Sequence, residues 1–156
     1  MAKPDLRNPV HLLASGFGSG LAPRAPGTFG TLAALPLWWG LHYLSAPVYW
    51  LCIAAAFVLG IYLCGKTARD LRTHDHGSIV WDEFVGLWIA LAQVPAQWLW
   101  VVAGFALFRL FDVWKPWPIS WCDRRVHGGF GIMLDDVLAG LAALLLLQGA
   151  RLLAGI

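Results

Sequence analysis

The apolar stretches of this chain carry no acidic residue, and its charges are gathered into the segments between them. That separation restricts the fold more than any motif does. A chain that is 59% hydrophobic and 13% charged, with mean hydropathy +0.65, lies outside the range of soluble globular domains and reads as an integral membrane protein. Backbone placed in hydrocarbon must satisfy its own hydrogen bonds, and runs of this length do so as helices. The expected fold is therefore all-α: a compact polytopic helical membrane bundle formed by the whole chain, 1–156, as a single integral membrane domain. About five apolar helices are expected, at 29–44, 48–64, 84–94, 97–108 and 133–153. The third and fourth read as a hairpin of two short arms turning at Pro95-Ala96, and residues 1–13 as a short N-terminal interfacial helix. The first run is only about 24 Å long at 1.5 Å per residue, short for a ~30 Å hydrocarbon core.

Counting five crossings places the Gly/Pro loop 16–30, the polar segment 66–83, the charged end of the fourth helix and the Asp135-Asp136 doublet on one side of the membrane. All Asp and Glu residues, and every Lys or Arg except Arg151, fall on that side, which the positive-inside rule makes cytoplasmic. No small-residue cleavage site follows the first apolar run, so no signal peptide is expected.

Several function classes drop out. A formal net charge of +2, with no basic run longer than Arg124-Arg125, excludes nucleic acid as a partner. GIYLCGKT at 60–67 matches the phosphate-loop pattern, but its interior completes an apolar helix where that motif needs a loop between strand and helix, so no nucleotide partner is expected. Cys52, Cys64 and Cys122 have no CxxC spacing and read as small core residues. None has an Arg six residues later, and no D-x-D occurs, so neither cysteine-based nor aspartyl-phosphate chemistry fits.

What remains is a surplus of acids at an interface. Asp82-Glu83 and Asp135-Asp136 stand where apolar character resumes, and Arg109, Asp112 and Lys115 follow at a spacing of three, on one face of a helix. Ser78 is placed to cap the helix that carries the first doublet, with His74 and His76 in capping or hydrogen-bonding roles. Buried carboxylates need a partner, and a divalent cation held by several helix ends is the obvious one. Such a centre favours phosphoryl chemistry, with Arg109 and Lys115 offsetting phosphate charge and a spare carboxylate as base. The loop 16–30, with Thr28 expected to cap the following helix and Arg24 nearby, is suited to collecting an anion. A site at the interface implies a lipid substrate. The alternative from another class is a small cation channel or transporter with a one-sided acidic vestibule; it requires acids spread through the membrane depth.

The motifs GFGSGLAPRAPGTFGT, HDHGSIVWDEFVG, FRLFDVWKPWPI and VHGGFGIMLDDVLAG, running from about Pro9 to Gly140, resemble the phosphatidylglycerophosphatase A family of bacterial membranes. The resemblance implies a Mg²⁺-dependent phosphatase that removes the terminal phosphate of phosphatidylglycerophosphate. It also implies a multi-pass protein of the bacterial inner membrane, surrounded by membrane lipids, with its site on the cytoplasmic face. By the same resemblance Asp82, Glu83 and Asp136 take the metal role first, then Asp112 and Asp135, all five being catalytic candidates. Asp75 and His76 come second, and phosphate contacts fall to Arg109, Lys115, the loop from Ser19 through Arg24 to Thr28, and His127.

Overall fold

The computed structural model describes residues 3–155, so the first two residues of the expected interfacial helix lie outside it. The described residues form helices and turns with no strand. In chain order the helices are α1 (Pro9–Ala14), α2 (Pro26–Leu41), α3 (Ala46–Asp70), α4 (Trp81–Ala90), α5 (Trp98–Trp114), α6 (Ile119–Arg125) and α7 (Gly128–Leu153), with a 3-10 turn at Ser19–Leu21.

The five apolar runs all become helices, with shifted ends. α3 and α7 are long and apolar enough to cross a bilayer. The hairpin arms are unequal: α4 has 10 residues, whereas α5 has 17 and carries Arg109 and Asp112 on its last turns before Lys115, in the left-handed region, ends it. GIYLCGKT lies wholly inside α3, in keeping with its rejection as a phosphate loop.

Burial explains the length of α4. All ten of its residues are buried, and it packs against α2, α3, α5 and α7, so it is the central post of the bundle. Outward faces of the surrounding helices keep large apolar side chains exposed, among them Leu37 on α2, Val58 on α3, Val113 on α5 and Leu145 on α7. A core enclosed by an apolar exterior is the pattern expected of a bundle in lipid. Trp98, Trp114 and Trp117 are exposed, as interfacial anchors are. Trp38, Trp81 and Trp88 are not anchors: they are core, and their indole N–H groups donate to the carbonyls of Leu91, Ala56 and Ala34 at 3.3, 3.0 and 3.1 Å.

Three local expectations are corrected. α2 begins at Pro26, not beyond Thr28, because proline is preorganised for a first helical position and Ala25 turns the chain with φ +48°. Thr28 therefore sits within the first turn and caps nothing. Ser78 does not cap α4, whose N-cap is Val80; its hydroxyl meets His76 Nδ1 at 2.7 Å instead. Finally, the last helix was expected from 133, but Gly128, Gly129 and Gly131 already open α7. A Cβ at Gly129 would stand 1.9 Å from the Ile61 carbonyl oxygen, so these glycines serve close helix packing. The Asp135-Asp136 doublet accordingly lies inside α7, not ahead of it.

Candidate functional site

Two glycines set the depth at which α4 and α7 meet. A Cβ at Gly140 would lie 2.4 Å from the Gly86 carbonyl oxygen, and one at Gly86 would lie 2.8 Å from that of Asp136, so only bare backbone allows this contact. Glu83 precedes Gly86 by three residues and Asp136 precedes Gly140 by four, spacings that share a helix face. The close crossing thus presses the acids of α4 against those of α7.

The result is a cluster in which Asp82, Glu83 and Asp136 each offer a carboxylate oxygen, all within 4.8 Å of one another. All three residues are buried. Asp82 Oδ1, Glu83 Oε2 and Asp136 Oδ2 have no hydrogen-bond partner. Buried acceptors left unpaired in this way are costly unless something supplies positive charge. Arg109 meets only part of the need: its Nη1 is 3.6 Å from Glu83 Oε1 and is more closely bound to Asp112 Oδ2. Three converging hard oxygen donors with open valence suit a hard divalent cation, so these residues fit a Mg²⁺ ion, with Asp112 alongside.

The first turn of α2 closes one wall. A Cβ at Gly27 would fall 2.4 Å from Glu83 Oε1 and 3.0 Å from both terminal nitrogens of Arg109. Beside the cluster lies a second group. Lys115 donates to Asp135, and to Asp123 at 2.8 Å. Burial alone would lower the Lys115 pKa, but these two hydrogen bonds outweigh it and hold the ammonium above its ordinary range. Burial likewise tends to raise Asp123, and the bond from Lys115 prevails, leaving its carboxyl below the usual range.

A family model described as phosphatidylglycerophosphatase A matches residues 12–151. The chain belongs to the phosphatidylglycerophosphatase A family. It is 56% identical to phosphatidylglycerophosphatase A of Escherichia coli (strain K12) over 143 residues, covering 90% of this chain and 83% of that one. It is 52% identical to phosphatidylglycerophosphatase A of Haemophilus influenzae over 149 residues, covering 93% and 90%. A protein of Bacteroides thetaiotaomicron, provisionally named a phosphatidylinositol-3-phosphatase, is 41% identical over 152 residues, covering 92% and 94%. No solved structure matches the chain. As a member of this family the protein is a phosphatase, a hydrolase of phosphate monoesters, and its apolar helices fit a membrane protein.

In this phosphatidylglycerophosphatase A family member the expected site residues divide. Asp82, Glu83, Asp136, Asp112 and Arg109 come together in the cluster, while Asp135 turns to Lys115. Asp75, with His74, lines a small cavity shared with Asp123 and Asp135. His127 precedes α7 as its N-cap residue, and its ring meets that of His74 edge-on at 4.8 Å. Ser19 Oγ donates to the Gly16 carbonyl at 2.8 Å and so braces its own loop. Arg24 is exposed, with no ion pair among the described residues. Gly27 and Asp123 were missed. Asp123 follows Lys115 by eight residues in a charged stretch, a signal that was available; Gly27 carries no chemical group to attract notice.

Proposed function

We propose that the protein hydrolyses the terminal phosphate monoester of phosphatidylglycerophosphate, giving phosphatidylglycerol and phosphate, with Mg²⁺ held by Asp82, Glu83 and Asp136 and with Asp112 as a further ligand. One observation carries the metal requirement: three buried carboxylates converge within 4.8 Å while each keeps an oxygen without a partner. The substrate is carried by the family, whose relatives from Escherichia coli and Haemophilus influenzae are named for it. Five crossings with the cluster at the cytoplasmic face complete the reading, supported by the gathering of charged segments at the ends of α4 and α5 and the first turns of α7.

Bound Mg²⁺ supplies Lewis-acid polarisation of the phosphoryl oxygens and neutralises their charge. The chain's own groups do the rest. Arg109, fixed between Glu83 and Asp112, offers guanidinium N–H groups in a rigid fork suited to phosphate. A carboxylate oxygen of the cluster that does not itself hold the ion takes a proton from the attacking water. Lys115, already bound to Asp123 and Asp135, keeps a positive charge at the edge of the site at any ordinary pH. Burial of α4 excludes bulk water from beneath the reacting group, which strengthens each of these interactions. Family membership speaks against the transport alternative, as does the gathering of the buried acids into one cluster where a pathway would spread them along the membrane depth.

The test is phosphate release from phosphatidylglycerophosphate and phosphatidic acid by purified protein in detergent, with Mg²⁺ and with chelator. Release from phosphatidylglycerophosphate is expected to need Mg²⁺ and to be lost in Asp82→Asn and Asp136→Asn. Near wild-type turnover in both variants would reject the assignment.

A further inference from the structure

Outside the carboxylate cluster, unpartnered polar atoms gather at one other place. His76 Nε2 and Thr73 Oγ1 are buried without a hydrogen-bond partner. Both residues line a single cleft of about 380 Å³, whose other walls include Lys3, Leu21, Pro26 and Asp75. That volume is at the small end of the ~300–1,000 Å³ typical of ligand sites.

The bonds around His76 decide what it offers. Its Nδ1 accepts from the Ser78 backbone N–H at 3.2 Å, and with the Ser78 hydroxyl at 2.7 Å donating to the same nitrogen the proton of the neutral ring belongs on Nε2, the atom that lacks a partner. His76 is thus held by its loop as a hydrogen-bond donor. Thr73 adds a hydroxyl, Lys3 a cation and Asp75 an acceptor.

The cleft and the carboxylate cluster have a wall in common. Pro26 lines the cleft, and the next residue, Gly27, stands against Glu83 and Arg109. On the other side Ser78 lines the cleft and lies two residues ahead of Val80, the N-cap of the helix that carries Asp82 and Glu83.

We infer that this cleft is a headgroup subsite that receives the diester phosphate and free hydroxyl of a glycerophosphodiester while the terminal monoester lies at the carboxylates. The inference rests on the lipid-phosphatase reading above. The diester phosphate is an anion that accepts hydrogen bonds, which Lys3 and His76 Nε2–H supply. The alcohol both donates and accepts, which Asp75 and Thr73 match. Phosphatidic acid has no phosphodiester or free alcohol and gains nothing from these groups, so the cleft determines specificity.

The variants are Thr73→Val, which keeps shape and removes the hydroxyl, and His76→Asn, whose Oδ1 still accepts from Ser78 but whose amide falls short of the Nε2 position. Each is assayed for kcat and KM on both lipids, and for inhibition by glycerophosphoglycerol, a soluble probe without the monoester. The preference for phosphatidylglycerophosphate over phosphatidic acid, as a ratio of kcat/KM, is expected to fall roughly five- to tenfold per lost bond. The change should appear in KM, and inhibition by the probe should weaken to match. Thr73→Val should keep or raise the melting temperature, since a buried unpaired hydroxyl is removed. A parallel fall of kcat/KM on both lipids, or unaltered preference and inhibition, overturns the subsite. If wild-type protein releases phosphate from neither lipid, the proposed function fails instead. Direct calorimetric binding of glycerophosphoglycerol then judges the cleft alone, and no difference between wild type and variants overturns it.

Discussion

Asp136→Asn separates a metal centre from a merely tolerated acid cluster, because the two predict opposite effects on stability. Ligand oxygens of Asp82, Glu83 and Asp136 lie within 4.8 Å of one another. At an effective dielectric constant of about 20, two unit charges at that separation repel by about 3.5 kcal/mol. Three ionised carboxylates contain three such pairs, and the substitution leaves one, so about 7 kcal/mol of repulsion is relieved at most. Proton uptake and the guanidinium of Arg109, 3.6 Å from Glu83, reduce the realised gain to a few kcal/mol. In the wild type the proposed cation would do the same work: at a hundred times its Kd it would add about 2.7 kcal/mol. For a chain of this size that is a shift of roughly 5–11 °C. Unfolding followed by tryptophan fluorescence in detergent, with EDTA and with excess Mg²⁺, reads both quantities. Wild-type protein should melt several degrees higher with Mg²⁺, whereas Asp136→Asn should melt above chelated wild type and ignore the ion. A Mg²⁺ shift of equal size in the two proteins would refute the shared-ligand argument.

Three further outcomes follow from the packing. Gly27→Ala places a Cβ 2.4 Å from Glu83 Oε1 and should lower kcat roughly 10- to 100-fold by displacing the acid and Arg109, with the melting temperature kept or raised because alanine favours a helix. Gly129→Ala meets the Ile61 carbonyl at 1.9 Å and should destabilise the α3–α7 contact by about 1–3 kcal/mol, read as a lower melting temperature. Asp123 has a pKa lowered in the folded state, so its pairing with Lys115 contributes above the unfolded value of about 3.9 and is lost as pH falls through the folded one. Its carboxylate is 43% exposed, so Asp123→Asn should cost no more than about 1 kcal/mol at pH 7, and the difference should shrink in melts taken at progressively lower pH below about 3.9.

How much of this was legible in the chain depends on what each residue contributes. The convergence of Asp82, Glu83, Arg109, Asp112 and Asp136 follows from helix parity, because apolar runs of alternating direction bring alternate ends together. Even the parting of the second doublet was readable in principle. Neighbours on a helix face about 100° apart, so Asp135 and Asp136 serve two directions, one to Lys115 and one to the cluster. The start of α7 was not readable, because tertiary contact overrode local preference there. Gly128, Gly129 and Gly131 have the composition of a loop, yet they wind into α7 because the Ile61 and Val126 carbonyls approach too closely for any Cβ at Gly129 and Gly131. Thr28 and Ser78 have the chemistry of caps, but Pro26 and Val80 hold the positions that decide where their helices start.

The same distinction shows how the site is built. The charged residues provide its chemistry, and they announce themselves by standing out against an apolar chain. Its dimensions come from Gly27, Gly86 and Gly140, whose missing side chains let α2 and α7 close on α4 until three carboxylates share one space. An acid moved one turn along α7 would keep composition, charge and hydropathy unchanged and would lose the centre. Enlarging Gly86 would do so without touching an acid, since a Cβ there meets Phe108 at 2.5 Å as well as the Asp136 carbonyl. The proposed affinity of this cluster for Mg²⁺ would therefore be a property of the α4–α7 contact as much as of the carboxylates, and alteration of either side of that contact should weaken the proposed binding before it unfolds the chain.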